Sequence, residues 1–223
     1  MISTDLEMLR FVKREVRVAA VCDILDSLGY RNQAMHQRLR PLLPDFRNCG
    51  FAGRARTLRW MDVDYIPDDP YGLEIDFMDS LQPGDVVVHS TDFRGMNAPW
   101  GELMTTVALR RGAVGCICDS NVRDCVKIID LGFPVYSAGI RPLDSKGRGI
   151  VKEADVTIEC GGVLVHPGEL ILADYDGIVV IPRKVEESVL VLAREKVTKE
   201  EQMRSELVDG KTLRAAHDEH DIL

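Results

Sequence analysis

The sequence has no CxxC pair, although it contains six cysteines. They are Cys22, Cys49, Cys116, Cys118, Cys125 and Cys160, and most of them stand inside apolar runs. Structural zinc sites space their cysteines differently, and small secreted scaffolds use cysteine more densely. The missing pairs therefore argue against a zinc domain or a disulfide scaffold. We expect buried free thiols in a cytoplasmic protein.

Long apolar runs and an excess of basic residues are also missing. No stretch approaches the apolar length that crosses a membrane, and charged residues interrupt the first segment, MISTDLEMLRFVKREV. The 36 acidic residues outnumber the 28 basic ones, which gives a formal net charge of −8. Such a charge repels nucleic-acid phosphates and anionic membranes. We therefore expect neither nucleic acid nor membrane as a partner, and a cytoplasmic location.

Strands alternate with helices in the middle of the chain. The predicted strands are DVVVHS (85–90), AVGCICD (113–119) and FPVYSAG (133–139). One predicted helix, from about Pro99, ends at Gly112, and a second, after Asn121, ends at Gly132. This alternation indicates βαβ units with parallel strands.

The segments on either side of these βαβ units indicate that the whole chain has a mixed α/β fold. Two N-terminal helices are predicted, the first with Thr4 and Glu7 as a capping box and the second ending at Gly29. A strand at 50–60, an acidic loop at 62–71 and a short helix at 73–81 follow. Short strands with hairpins occupy about 155–182, and a long helix runs from there to about Leu207, before a polar tail. We predict an α/β domain with a central mixed sheet (1–182) and a helical extension (183–223) that packs on the same domain or a neighbouring subunit.

Two strand-to-helix junctions carry the residues best suited to chemistry. The first is STDFRGMNAPWGELMTT after the strand at 85–90, and the second is DSNVRDC after the strand at 113–119. Carboxyl ends of neighbouring parallel strands open onto one crevice, where ligands tend to bind. Helix N-termini there present unpaired N–H groups to an anion. We expect the amides near Gly101 to Met104 in this crevice, with Arg123 and Asp124 in the first turn of the second helix.

These residue types suit one kind of reaction. A 2-oxo acid chelates a divalent cation through its carboxylate and keto oxygens, and the cation stabilises the enolate formed when a C–C bond breaks. Carboxylates and water are the ligands that Mg²⁺ and Mn²⁺ prefer. An arginine adds a charged fork that orients the substrate.

The segment GELMTTVALRRGAVGCICDSNVRD resembles the signature of RraA-like proteins, which include the 4-hydroxy-4-methyl-2-oxoglutarate aldolases. That signature is an acid, twenty intervening positions and Arg-Asp, here Glu102 and Arg123-Asp124. GGVLVHPGELILADYDGIVVIP and CDILDSLG are also similar to the family, so the resemblance spans about residues 16–195. It implies a swivelling β/β/α-type fold and a class II pyruvate aldolase with possible oxaloacetate decarboxylase activity.

The resemblance also implies roles for individual residues. Backbone amides of Gly101, Glu102, Leu103 and Met104 would bind the pyruvyl carboxylate, and Arg123 would bind substrate oxygens. Asp124 would hold the metal, with Mg²⁺ expected first and Mn²⁺ second, and Glu102 would assist proton transfer. The family forms trimers and dimers of trimers with sites between subunits, so a neighbouring chain would supply a further acid.

Two features depart from the family pattern. Position 127 often carries an acid in the family, and here it is Lys127, while the acidic loop at 62–71 is also atypical. Lys127 lies three residues after Asp124, on the same face of the predicted helix, where a lysine with a lowered pKa would form a Schiff base with a keto acid. An exposed lysine is the simpler interpretation.

Other classes of function stay open at this stage. Some RraA-like proteins inhibit an RNA-degrading endonuclease without catalysis, and methyl transfer is a third, lower-ranked alternative because no glycine-rich nucleotide loop is present. Several single residues also have structural interpretations. We expect buried packing for Cys116 and Cys118, structural roles in strands for His89 and His166, solvated side chains for His217 and His220, and packing for Trp60 and Trp100, the latter beside the predicted site.

Overall fold

A mixed sheet flanked by helices forms the fold. The computed structural model describes residues 2–43, 45, 47–91 and 97–220. Its helices are α1 (Ile2–Glu15), α2 (Val18–Ser27), α3 (Gly72–Ser80), α4 (Glu102–Arg111), α5 (Cys125–Asp130), α6 (Glu186–Val208) and α7 (Leu213–His220). Its strands are β1 (Arg40–Pro41), β2 (Phe51–Asp62), β3 (Asp85–Ser90), β4 (Gly115–Val122), β5 (Val135–Ile140), β6 (Gly149–Ala154), β7 (Ile158–Cys160), β8 (Val163–Val165), β9 (Leu170–Asp174) and β10 (Gly177–Ile181).

The main sheet has the strand order β1-β5-β4-β3-β2-β9-β10. Strands β2 to β5 are parallel, as the alternation of strands and helices predicts, because α4 and α5 cross over between β3, β4 and β5. The other edge of β2 pairs antiparallel with β9 near its start and with β6 near its end. The hairpins β7-β8 and β9-β10 are antiparallel, which confirms the prediction for this segment.

Buried apolar runs explain the position of the parallel strands. Residues 85–89 of β3 are all buried, as expected for a strand covered on both faces. One side of the sheet packs around Phe51 and Tyr136, whose rings meet edge to face. The other side packs Trp60, Trp100 and Phe133 together. Apolar side chains therefore cover the parallel strands on both faces of the sheet.

The N-terminal and C-terminal helices share one apolar layer. Leu25 of α2 and Val189 of α6 are fully buried in the same cluster as Val179 of β10. Arg54 of β2 joins them electrostatically, because its guanidinium donates to Asp5 in α1 at 2.7 Å and to Glu186 in α6 at 2.7 Å. The long C-terminal helix thus packs on the domain that contains the sheet.

Several boundaries differ from the sequence predictions. The second junction helix is much shorter, since β4 continues to Val122 and α5 begins only at Cys125. Arg123 and Asp124 therefore precede the helix instead of forming its first turn. Asp124 has a left-handed backbone (φ 57°), which ordinary helical residues avoid. An isolated parallel bridge between Trp100 and Val122 holds the end of β4 in the sheet.

The predictions for the two ends of the chain were also wrong in part. Helix α1 begins at Ile2, so Thr4 lies inside the helix and is not its N-cap. The tail, predicted to fray, is helical to His220, and its Ala216 is buried. Lys211 donates to Glu206 and Glu219 and so holds α7 against α6. Residues 221–223 of that tail, and residues 92–96 of the first junction, lie outside the described residues.

Candidate active site at the carboxyl ends of the parallel strands

A cavity of about 410 Å³ lies where β3, β4 and β5 end. Its lining residues come from four segments of the chain: Tyr71, Glu74 and Ile75; Ala98, Pro99, Gly101, Leu103 and Met104; Arg123 and Asp124; and Asp144 and Ser145. This is the edge of an α/β sheet at which ligands bind. The volume suits a small organic acid.

Gly101 allows α4 and the end of β4 to approach closely. A Cβ at this position would lie 2.7 Å from Oδ2 of Asp124 and 3.3 Å from Cγ of Arg123. The glycine has φ −157°, which is extended backbone open to any residue. Space, and not a tight turn, is therefore the reason for glycine here.

The carboxylate of Asp124 lies at the N-terminus of α4. Its Oδ2 accepts a long hydrogen bond (3.4 Å) from the amide of Glu102. The first amides of a helix have no partner within the helix, and their partial positive charge attracts anions. The amides of Leu103 and Met104 also belong to this first turn. The two sequence junctions thus meet in space, as predicted.

Arg123 is held from both its backbone and its side chain. Its amide donates to the carbonyl of Trp100 at 2.9 Å. Its Nη2 lies 3.3 Å from Oδ1 of Asp144, and its Nε lies 3.8 Å from Oδ2 of Asp124. These partners hold the guanidinium at the cavity, where it is about one-third exposed.

Asp144 is a site residue that the sequence interpretation missed. It accepts a hydrogen bond of 2.7 Å from the hydroxyl of Tyr71 and another of 2.8 Å from the amide of Ser145. Burial alone would raise the pKa of Asp144, but Tyr71, Arg123 and the Ser145 amide outweigh it and hold the pKa below its usual range. Burial and the bond to Asp144 raise the pKa of Tyr71 to about 12. Asp144 is thus ionised and Tyr71 is protonated at neutral pH.

Glu74 is the second missed residue, and it is only 4% exposed in the first turns of α3. Burial and repulsion by Asp144 raise its pKa to about 8, against a smaller opposing effect of Arg123. Glu74 is therefore mostly protonated at neutral pH. The available sequence signal was its position just after the atypical acidic loop, in a helix that buries Phe77 and Met78.

The residues predicted for substrate and metal binding divide into two groups. Gly101, Leu103, Met104, Arg123 and Asp124 line the cavity. The side chain of Glu102 is not among the lining groups, although its amide contacts Asp124.

Two further residues near the site do not line the cavity. Lys127 is exposed and stands outside it, which removes the geometric support for a Schiff base. Trp100 is fully buried below the site, where it packs on His89 and Phe133.

The remaining single-residue candidates have structural roles. Cys116 and Cys118 are buried free thiols, and burial raises both pKa values. Trp60 Nε1 donates to Nδ1 of His89, and burial lowers the pKa of His89 to about 3. His166 follows β8 and does not lie within it, and its Nδ1 meets the Thr157 hydroxyl at 2.9 Å.

The C-terminal histidines are less exposed than predicted. His220 packs against Glu206 at 2.9 Å and is not solvated as predicted. His217 is also partly enclosed, and its Nδ1 has no hydrogen-bond partner among the described residues.

Whether a divalent cation fits at Asp124 depends on the side chains that could act as its ligands. Among the described residues, the group of three or more potential ligands is Glu206, Glu219 and His220, and Lys211 already pairs with both of its carboxylates. No such group surrounds Asp124 in that part of the chain. An exposed carboxylate beside a small-acid cavity fits Mg²⁺, which keeps several waters and binds through one or two carboxylates plus substrate oxygens.

The fold and cavity define an α/β protein with an arginine and a carboxylate at the carboxyl ends of its parallel strands. A family model described as RraA-like, Aldolase/RraA, matches residues 18–180, so the chain belongs to the RraA-like family. This confirms the resemblance in the signature segment.

None of the described helices is long and apolar enough to cross a membrane.

Relatives and solved structures support this membership. A protein of Halalkalibacterium halodurans named "Putative 4-hydroxy-4-methyl-2-oxoglutarate aldolase" is 30% identical over 197 residues, covering 88% of this chain and 87% of its own. An uncharacterised Pseudomonas syringae pv. tomato structure has a TM-score of 0.81 at 27% identity, covering 95% of this chain and 96% of its own. Streptomyces coelicolor RraAS2, described as an unusual member of the RNase ES inhibitor RraA family, has a TM-score of 0.77 at 28% identity, covering 89% and 96%. The predicted fold is thereby confirmed.

Proposed function

We propose that this protein is a divalent-metal-dependent lyase that cleaves a 4-hydroxy-2-oxo acid to pyruvate and a second carbonyl compound. The observation that carries the proposal is the meeting of Arg123, Asp124 and the first amides of α4 at one cavity, which the close approach at Gly101 permits. These groups suit a 2-oxo acid, because its carboxylate and keto oxygens are acceptors. The named aldolase relative supports the same reaction class.

The reaction assigns a task to each group. The amides of Leu103 and Met104 would bind the substrate carboxylate, and Arg123 would orient the keto oxygen. Asp124 would hold Mg²⁺ or Mn²⁺, which when bound supplies Lewis-acid polarisation of the keto group. Glu102, whose side chain does not line the cavity, would assist removal of the 4-hydroxyl proton through an intervening water.

The electron pairs balance without an external oxidant. As the 4-hydroxyl loses its proton, the C3–C4 bond breaks, a new carbonyl forms at C4, and the bonding pair moves into the enolate at C2–C3. Protonation at C3 then gives pyruvate. Oxaloacetate decarboxylation at the same site would leave the same enolate, so we propose it as an accompanying activity.

The assembly is a second part of the proposal. We propose a cytoplasmic homotrimer or dimer of trimers in which a neighbouring subunit supplies another acid to the site. Residues 183–223 are proposed as a helical extension of the domain formed by residues 1–182. Light scattering on the full chain tests the subunit number, and a strictly monomeric protein with full activity would contradict the shared site.

Pyruvate release tests the reaction itself. Release from 4-hydroxy-4-methyl-2-oxoglutarate, 4-hydroxy-2-oxopentanoate and oxaloacetate is measured with Mg²⁺, with Mn²⁺ and after chelation. We expect metal-dependent release that falls at least ~100-fold in Asp124→Ala and Arg123→Ala. Lys127→Ala, on an exposed residue outside the cavity, is the matched control and should retain activity. Metal-independent release lost in Lys127→Ala would establish class I chemistry instead.

A regulatory role is the alternative candidate, and the likeness to Streptomyces coelicolor RraAS2 favours it. In that case the chain would bind an RNA-degrading endonuclease and inhibit RNA cleavage. A cleavage assay with the purified nuclease tests this function. Inhibition that persists in Arg123→Ala and Asp124→Ala, together with no pyruvate release, would favour regulation over catalysis.

A further inference from the structure

Three buried aromatic rings, those of Trp60, His89 and Trp100, lie in contact in the core below the cavity. Trp60 belongs to β2, His89 belongs to β3, and Trp100 is the residue before the N-cap of α4. The ring centroids of Trp60 and His89 are 6.0 Å apart, and those of His89 and Trp100 are 5.5 Å apart. His89 therefore connects two neighbouring strands of the sheet to the segment that leads into the site.

A hydrogen bond fixes the orientation of the His89 ring. Nε1 of Trp60 donates to Nδ1 of His89 at 2.9 Å. An indole nitrogen is a donor only, so Nδ1 is the acceptor and the neutral ring carries its proton on Nε2. Burial lowers the pKa of His89 to about 3, so the ring stays neutral at physiological pH. His89 thus has one tautomer and one orientation.

The His89 ring in turn restrains the indole of Trp100. The two rings meet edge to face, with an angle of 74° between their planes. Such a contact places the positive edge of one ring on the negative face of the other, so it depends on orientation as well as distance. Phe133 stacks on the indole at a centroid distance of 6.1 Å. Because protein interiors are close-packed, the indole moves only if His89 or Phe133 moves with it.

The backbone of Trp100 carries this restraint to the site. Its carbonyl accepts a hydrogen bond of 2.9 Å from the amide of Arg123, and the residue forms a parallel bridge with Val122. The next residue, Gly101, lies so close to Arg123 that an added Cβ would be 3.3 Å from its Cγ. A shift of Trp100 therefore displaces the backbone from which the Arg123 side chain extends.

We infer that His89 is a positioning residue that sets the place of Arg123 through Trp100. His89 does not belong to the described lining of the cavity, so it acts on a bound ligand only through these two residues. The use of Arg123 as a substrate ligand is taken from the proposed function. A role in packing alone would lower the stability of the protein without changing the ligand affinity of its folded state, whereas a positioning role changes both.

His89→Asn tests the role of the ring, because asparagine keeps an acceptor oxygen for Trp60 but has no ring against Trp100. Hydrogen exchange at the Arg123 amide should become at least ~10-fold faster relative to the amide of Ile117, in the middle of β4. Titration calorimetry with pyruvate and Mg²⁺ should give a dissociation constant at least ~10-fold higher than that of the wild-type protein. An unchanged exchange ratio and an unchanged dissociation constant in the folded variant would overturn the inference.

Leu25→Ala is the control for lost stability. Leu25 is fully buried in the layer between α2 and α6, in a different apolar cluster from Trp100. The variant should therefore lose stability while its dissociation constant for pyruvate changes less than ~2-fold. Equal weakening of pyruvate binding in Leu25→Ala and His89→Asn would also overturn the inference, since lower stability alone would then explain both results.

Trp60→Phe provides a test that does not depend on the folding of His89→Asn. It removes the donor Nε1 and leaves His89 and Trp100 in place. Nitrogen NMR of the His89 ring should then show a mixture of tautomers, and the dissociation constant for pyruvate should rise by ~3-fold or more. A mixture of tautomers with an unchanged dissociation constant would overturn the inference, because the ring would have been released without an effect on the site.

The two proposals fail differently. If the wild-type protein neither binds nor releases pyruvate, the proposed function falls, and hydrogen exchange at Arg123 in His89→Asn still decides whether His89 holds that residue in place. If the wild-type protein binds pyruvate and His89→Asn binds it equally well, only the inference about His89 falls.

Discussion

Adding one methyl group at position 101 should impair activity far more than stability. In Gly101→Ala the new Cβ would lie 2.7 Å from Oδ2 of Asp124, whereas ordinary contact begins at 3.4 Å, so the carboxylate must retreat by about 0.7 Å. Arg123 must also move, since its Cγ would be 3.3 Å away. A displacement of about 1 Å in a catalytic group costs about 100-fold in rate. We expect kcat/KM to fall roughly 30- to 100-fold.

The effect on folding should be small for a physical reason. Both displaced side chains are partly exposed and free to shift, so crowding costs ~1–2 kcal/mol or less, and the loss of glycine flexibility in the unfolded chain returns ~0.4–1 kcal/mol. The free energy of unfolding from urea titration should therefore change by less than ~2 kcal/mol.

The matched control for this prediction is Gly177→Ala. At Gly177 an added Cβ meets no atom within 4 Å, and the backbone is not left-handed, so activity should be unchanged and stability should rise by no more than ~1 kcal/mol. Wild-type kcat/KM in Gly101→Ala would refute the argument that close approach at residue 101 sets the position of Asp124.

Three further predictions concern the same fold and site. Between pH 4.5 and 8 Glu74 loses its proton in the unfolded chain but retains it in the folded state. The stability of the wild-type protein should therefore fall across this window by roughly 4 kcal/mol relative to Glu74→Gln. Parallel pH profiles of the two proteins in urea denaturation would contradict the pKa of about 8. Tyr71→Phe removes a hydrogen bond to Asp144, so the pKa of Asp144 should rise, as measured by carboxyl NMR. An unchanged pKa would rule out this contact as a cause of the lowered value. Leu25→Ala should lower the free energy of unfolding by ~2–5 kcal/mol, and the variant should still unfold in a single thermal transition that includes α6, because Leu25 and Val189 share one core. Separate melting of α6 would show that the C-terminal helix is independent.

The parallel part of the sheet and the meeting of the two junctions could be predicted from sequence. Runs such as DVVVHS (85–90) are apolar throughout and bounded by turns, which specifies a buried strand. Gly101 and Arg123 follow neighbouring strands of this kind, so their proximity follows from topology alone.

The roles of Glu74 and Asp144 at the cavity could not be predicted from local sequence patterns. Glu74 and Asp144 are separated by about seventy positions, and only tertiary packing buries the one and pairs the other with Tyr71. Strand β6 was missed because GIVKEA (149–154) is only partly buried and lacks a clear alternation. The length of the helix after β4 was wrong because the left-handed backbone of Asp124 depends on its contact with α4.

The two ion pairs of Arg54 have a consequence for the order of events during synthesis. Asp5 and Arg54 leave the ribosome early, whereas Glu186 emerges more than a hundred residues later. Until then the guanidinium, which is 15% exposed in the finished fold, has only one of its two carboxylates. A half-paired charge resists burial, so this part of β2 becomes buried only after most of the chain has been made.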